Sequence, residues 1–218
     1  MAEPVSIPLS YFEYIADFER PMFAVWLNRA DLVQSVFDSL IPWNPSIENV
    51  EGVNEGKPAD QGVSIRLPER KIKILLNPGR FKFNKDQADW NDAGEVTSIV
   101  ETTRRATLET TGATMKRQTV VIAMHIQLKS KNFRDFLSPF IPERLRDLRD
   151  TPLSATANIL RWEDAALTLD GSALVSNAIF ARLELGFLPD KNFQYIAGEL
   201  RRFESALLEL LGLEEERP

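Results

Sequence analysis

Proton-transfer and metal chemistry have a narrow footing in this chain, because His125 is its one histidine and it contains no cysteine. Those two counts exclude histidine-based metal clusters, two-histidine relays, thiolate centres, disulfides and cysteine nucleophiles. His125 lies on the less apolar side of an alternating run, so as a base it needs a serine or threonine partner that no motif marks. In the ordinary case such a histidine is structural or merely exposed. Phosphate-loop, dinucleotide-binding and nucleophile-elbow spacings are all missing. Carboxylates are plentiful, yet Glu163 and Asp164, the pair that stands out, fall at an expected turn and suit its solvation. The sequence thus assigns no catalytic residue, no metal ligand and no cofactor.

Positive charge on an alternating pattern is the more concrete lead. Val63, Ile65 and Leu67 alternate with Ser64 and Arg66, Ile72, Ile74 and Leu76 with Lys71 and Lys73, and Phe81 and Phe83 with Arg80 and Lys82. Successive side chains of a strand point to opposite faces, so the apolar set dictates one side and Arg66, Lys71, Lys73, Arg80 and Lys82 the other. His125 joins them as a sixth candidate binding residue, with Gln127, Lys129 and Arg182 beside it. Cations on neighbouring strands add their fields within the ~8 Å screening length of physiological salt, which suits an anionic partner. The competing account is a solvated sheet face that discourages edge pairing, neutralised by Glu69 and Glu184.

These residues require strands, and the chain supplies them in a definite order. Residues 1–20 form an arm in which Tyr11, Ile15 and Phe18 share one side of a short helix. Met22 to Leu27 has strand length, and Asn28 is placed to cap the helix after it, which Pro42 ends. The meander follows, then a helix from Asp92 to Thr111 that is rich in threonine and needs packing to hold it. A long strand, Gln118 to Lys129, opens the second part. A helix from about Asn132 with a charged extension over 143–150 comes next. Strands near 154–162, 165–170 and 173–187 follow, the last two joined by Asp170 and Gly171, and an amphipathic helix ends at Gly212. Val33, Val36, Phe37, Leu40, Ile41 and Pro42 match Phe133, Phe136, Leu137, Phe140, Ile141 and Pro142 at an offset of one hundred residues, as Gly112 matches Gly212. The expected class is therefore α+β: two repeats, 21–112 and 113–212, of strand, helix, antiparallel meander and helix. They share one curved sheet with long helices on one face, and an acidic tail occupies 213–218. Trp26, Trp43, Trp90 and Trp162 are expected mostly in or near the core.

A net charge of -6 disfavours a general nucleic-acid binder. No run is long and apolar enough to span a membrane, and the start lacks a secretory pattern, so a cytoplasmic protein is expected. The doubled order of elements over 21–212 resembles, at fold level, the duplicated saddle of the TATA-binding protein and the helix-grip folds. That resemblance implies a curved sheet with helices on the convex side and the other face left for a partner. The pattern from Lys71 to Trp90, the strand at 120–128 and the long last helix also resemble a sporadically distributed bacterial family of unknown function, which implies no activity. The leading expectation is a non-enzymatic binding protein for a protein or anionic ligand, with a homodimer through the last helix open to it. The alternative is an enzyme or small-molecule carrier with a pocket between sheet and helices.

Overall fold

The computed structural model describes residues 2–53, 57–58, 61–89, 92–140 and 158–215. The chain is α+β with a large, mainly antiparallel sheet. Its strands are β1 (Glu3–Phe18), β2 (Val50–Val53), β3 (Gly62–Leu67), β4 (Ile72–Asn77), β5 (Arg80–Asp86), β6 (Met115–Leu128), β7 (Asn158–Arg161), β8 (Ala165–Gly171), β9 (Ala178–Phe187) and β10 (Leu213–Glu215). The helices are α1 (Ala24–Leu27), α2 (Arg29–Ser39), α3 (Ala93–Thr111), α4 (Phe133–Leu137) and α5 (Phe193–Leu211). Hydrogen-bonded strand order is β2-β3-β4-β5-β1-β6-β9-β8-β7, and β10 pairs in parallel with the start of β1.

Two compact units make up the chain. The first comprises Phe12–Val120 and Gly186–Gly198; the second comprises Met1–Tyr11, Val121–Leu185 and Glu199–Pro218. In the first, cross-strand partners such as Ile65, Ile74 and Phe83, or Val63, Leu76 and Phe81, stack into a buried apolar face. Phe12 and Tyr14 add edge-on ring contacts to Phe83, Phe81 and Phe193. Helix α3 buries Val96, Ile99, Val100, Thr103 and Thr107. Packing of that stripe holds the helix despite its threonines, whose hydroxyls at Thr97, Thr103, Thr107 and Thr111 are satisfied by the carbonyls of Ala93, Ile99, Thr103 and Thr107. In the second unit Leu167 pairs with Leu183 and Leu169 with Ala181, all buried together with Ile122, Met124 and Ile126.

Several local expectations are overturned. The segment after residue 2 is a strand, because Tyr14, Ala16 and Phe18 are buried in alternation with the half-buried Ile15 and Asp17, and this period of two outweighs the helical spacing of Tyr11, Ile15 and Phe18. The run Met22–Leu27 holds the one-turn helix α1, turned inward at Met22 and Val25 three residues apart. Asn28 makes no side-chain cap. Asp170 and Gly171 lie inside β8, paired with Phe180 and Ile179, and the reversal is made by residues 172–177. Gly171 is required there for space, since a Cβ would come within 2.7 Å of the Phe133 ring. The first residues of the expected tail are strand β10. The charged extension over 143–150, and Trp90, lie outside the described residues.

Candidate functional site

Register places the meander cations. Arg66 faces Lys73, and Lys73 faces Asn84, forming one cross-strand row. Ser64, Leu75 and Lys82 form the next row, with Glu51 of β2 opposite Ser64, while Arg80 sits opposite Asn77. Residues directly opposite share a face, so Arg66, Lys73, Arg80 and Lys82 do lie on one side, away from the apolar set. Lys71 does not take part by the pleat. Pro68–Arg70 is a single 3-10 turn and Lys71 follows it with φ 55, in the left-handed region, before β4 begins.

Acidic neighbours alternate with these cations. Arg66 meets Glu51 at 2.8 Å, Arg80 meets Asp17 at 3.4 Å, and Lys82 is bonded to Glu13. The expected neutralising residues were Glu69 and Glu184. In this unit the work falls to Glu13, Asp17 and Glu51, which the alternation of β1 and β2 brings to the same side. Glu184 instead pairs with Arg182 at 2.9 Å in the other unit. The exposed pairs Arg66–Glu51 and Arg80–Asp17 contribute about 0–1 kcal/mol each, so they exchange readily for partners of similar charge, whereas Glu13 is buried beneath Lys82. The row Arg66–Lys73–Asn84 contains no carboxylate.

A second cluster, in the same unit, was not foreseen. Gln118 on β6 is fully buried, and its amide donates to the carbonyls of Leu188 and Lys191, both at 2.8 Å, and of Pro189 at 3.3 Å. Its carbonyl oxygen accepts from the Tyr14 hydroxyl at 2.6 Å and from Arg104 Nη1 at 3.0 Å. Arg104 Nη2 reaches Glu101 at 2.6 Å, and the other Glu101 oxygen accepts the backbone N–H of Phe193 at the start of α5. Burial pushes the Tyr14 hydroxyl up to about 12, against the pull of Arg104. Burial also works against the Arg104 charge, but Tyr14 and Glu101 more than offset it and hold the group charged. The Arg104 Nε hydrogen has no partner among the described residues. One sequence signal existed: Arg104 follows Val100 and precedes Thr107 at helical spacing, a charge on the apolar stripe of α3.

His125 and Arg182 belong to the second unit, as do Gln127 and Lys129. Nδ1 of His125 lies 2.7 Å from the Ser172 hydroxyl, so the serine partner that no motif marked exists. It is poorly placed as a nucleophile. Ser172 Oγ accepts the backbone N–H groups of Leu174 at 3.1 Å and Val175 at 2.9 Å, which occupies both lone pairs that an attack on a carbonyl would need. The tryptophans depart from expectation as well: Trp26 and Trp162 are 42% and 54% exposed, and Trp43 is half-buried. No group of three or more potential ligands for a metal occurs among the described residues, and no helix there is long and apolar enough to cross a membrane. Compared with known proteins, the chain matches no family model and no curated protein sequence.

Proposed function

We propose that this chain is a non-enzymatic interaction protein that seats acidic side chains of a protein partner on the polar face of β3, β4 and β5. The row Arg66–Lys73–Asn84 carries the proposal. Like charges placed directly opposite on neighbouring strands cost stability; Glu51, from the adjacent row, answers Arg66, and among the described residues no ion pair answers Lys73. A partner carboxylate would do so, releasing Arg66 from its exposed pairing with Glu51. The flanking pairs Lys82–Glu13 and Arg80–Asp17 frame the row with alternating charge. Such a frame favours a protein surface of matching pattern over a uniformly anionic polymer.

The same proposal includes the finer architecture: a duplicated saddle, with the long helices on the apolar side of the sheet and the polar side left for the partner. Support comes from the strand order, in which β3-β4-β5-β1 is repeated in reverse as β6-β9-β8-β7. Further support comes from α3 and α5, each 19 residues long and one hundred positions apart, at 93 and 193. Gly112 and Gly212 follow them, both with φ 63. In this account the first copy starts with β1 at Glu3 and not at residue 21, and the second starts with β6.

Reversal of both central cations, Arg66→Glu with Lys73→Glu, tests the reading. The immobilised variant should lose the proteins retained by the parent chain by at least about tenfold, equivalent to the removal of two charge-assisted contacts, while circular dichroism and the thermal midpoint stay close to the parent. Retention of the same proteins by a folded variant would remove this face from consideration.

A further inference from the structure

We infer that the turn at residues 172–177 is a pH-responsive latch, closed only while His125 is uncharged. Ser172 Oγ has two lone pairs and one hydrogen. Leu174 and Val175 N–H groups take the lone pairs, so the hydrogen must be the one directed to His125 Nδ1, 2.7 Å away. Nδ1 is therefore an acceptor, and the ring proton sits on Nε2. Protonation would place an N–H at Nδ1 against an O–H that has no other acceptor among its partners, and one of the three bonds that shape the turn must break.

The surroundings give the imidazolium little compensation. Phe180 of β9 lies against the ring with centroids 5.1 Å apart, and burial lowers the histidine's pKa below 6.5. On β6 the same face carries Gln127, and the cation Lys129 follows the end of the strand. On β9 it carries Arg182, already paired with Glu184. On β8, Asp170 stands opposite Phe180 and accepts from the Gly171 N–H at 2.7 Å. From β1 the charged residue of this unit is Glu3, held by the backbone N–H groups of Ser130 and Lys131 at 2.7 and 3.0 Å.

Opening would not stay local. Gln127 donates to the Ser176 carbonyl at 3.3 Å. Asn177, at φ 50, donates to the carbonyls of Leu128 and Lys131, both at 3.0 Å, and accepts the Phe133 N–H at 3.0 Å, the first of α4. The turn is thereby tied to the end of β6 and the start of α4. Leu174, 74% exposed at its tip, would be displaced when the latch opens.

The sign is fixed by linkage. A histidine whose pKa is depressed in the closed form binds protons more readily once the turn is open, so closure is complete above about pH 6.5 and weakens as pH falls below it. Hydrogen exchange of the Leu174 and Val175 amides in the full chain is the direct probe. Their protection, corrected for intrinsic exchange, should drop by up to about tenfold between about pH 7.5 and about pH 5.5, while the β8 and β9 amides hold. His125→Gln keeps an acceptor for the Ser172 hydroxyl and cannot titrate, so its turn should show no such drop. Protection that is flat in the parent, or a drop that persists in H125Q, would overturn the inference. Should H125Q fail to fold, the imidazole nitrogen shifts of the parent chain near neutral pH decide the matter: an Nε2–H tautomer is expected, and an Nδ1–H tautomer refutes the latch.

Discussion

Both units of this chain use a buried or half-buried polar cluster to hold an irregular stretch of backbone, but the clusters are made of different chemistry. In one, Gln118 gathers the carbonyls of Leu188, Pro189 and Lys191 while Arg104 and Glu101 brace it. In the other, Ser172 and Asn177 hold the 172–177 turn, with His125 receiving the serine proton. An arginine keeps its charge throughout the accessible pH range and a buried amide has none to lose, so the first cluster is indifferent to pH near neutrality. The second depends on the one side chain of the chain that changes charge there. Equal structural duty thus comes with unequal sensitivity, and this contrast separates a fixed anchor from a switchable one.

Removing the centre of the fixed anchor is the severest way to break the comparison. Gln118→Leu strands the buried Tyr14 hydroxyl and one Arg104 donor, and leaves the part-buried carbonyls of Leu188 and Lys191 without their donor. The expected loss is about 3–5 kcal/mol, read from urea unfolding. A loss below about 1 kcal/mol would mean that the network is incidental to the fold.

Tyr14 supplies the pH limit of the same anchor. Its hydroxyl is raised from 10.0 to about 12 by burial, so the contribution is complete below pH 10 and disappears as pH rises through the raised value. Stability should fall by about 2–3 kcal/mol between about pH 10 and about pH 12, and Tyr14→Phe should flatten that limb. Identical alkaline slopes in the two proteins would place the titration elsewhere.

The legible part of this molecule was the part governed by period. Alternation at Val63 to Phe83 gave strands and a shared face because both sides obey one repeat, and the stripe from Phe193 to Leu211 gave α5 for the same reason. The first strand escaped because the large apolar residues Tyr11, Phe12, Tyr14, Ile15 and Phe18 satisfy two periods at once, and only pairing with neighbouring strands decides between them. Acids that answer the meander cations come from β1 and β2, at sequence separations that no local pattern encodes. The anchors were hidden for a related reason. Tyr14, Arg104 and Gln118 are separated by up to 104 residues, and Ser172 lies 47 residues from His125, so each looks like an isolated polar residue until the sheet assembles.

Asn177→Gly sharpens the comparison most gently. Glycine accepts the φ of 50 without strain, so the turn keeps its path and only the side-chain bonds to Leu128, Lys131 and Phe133 are lost. Those groups are partly solvated, and water replaces much of what the amide supplied, which limits the cost to about 1–2 kcal/mol. The diagnostic is where the loss appears. If the turn is a latch resting on Ser172 and His125, the variant should raise exchange at the Phe133 amide while the Leu174 and Val175 amides keep their pH dependence. Should their pH dependence vanish with Asn177, the asparagine and not the imidazole would be the element that responds to protons.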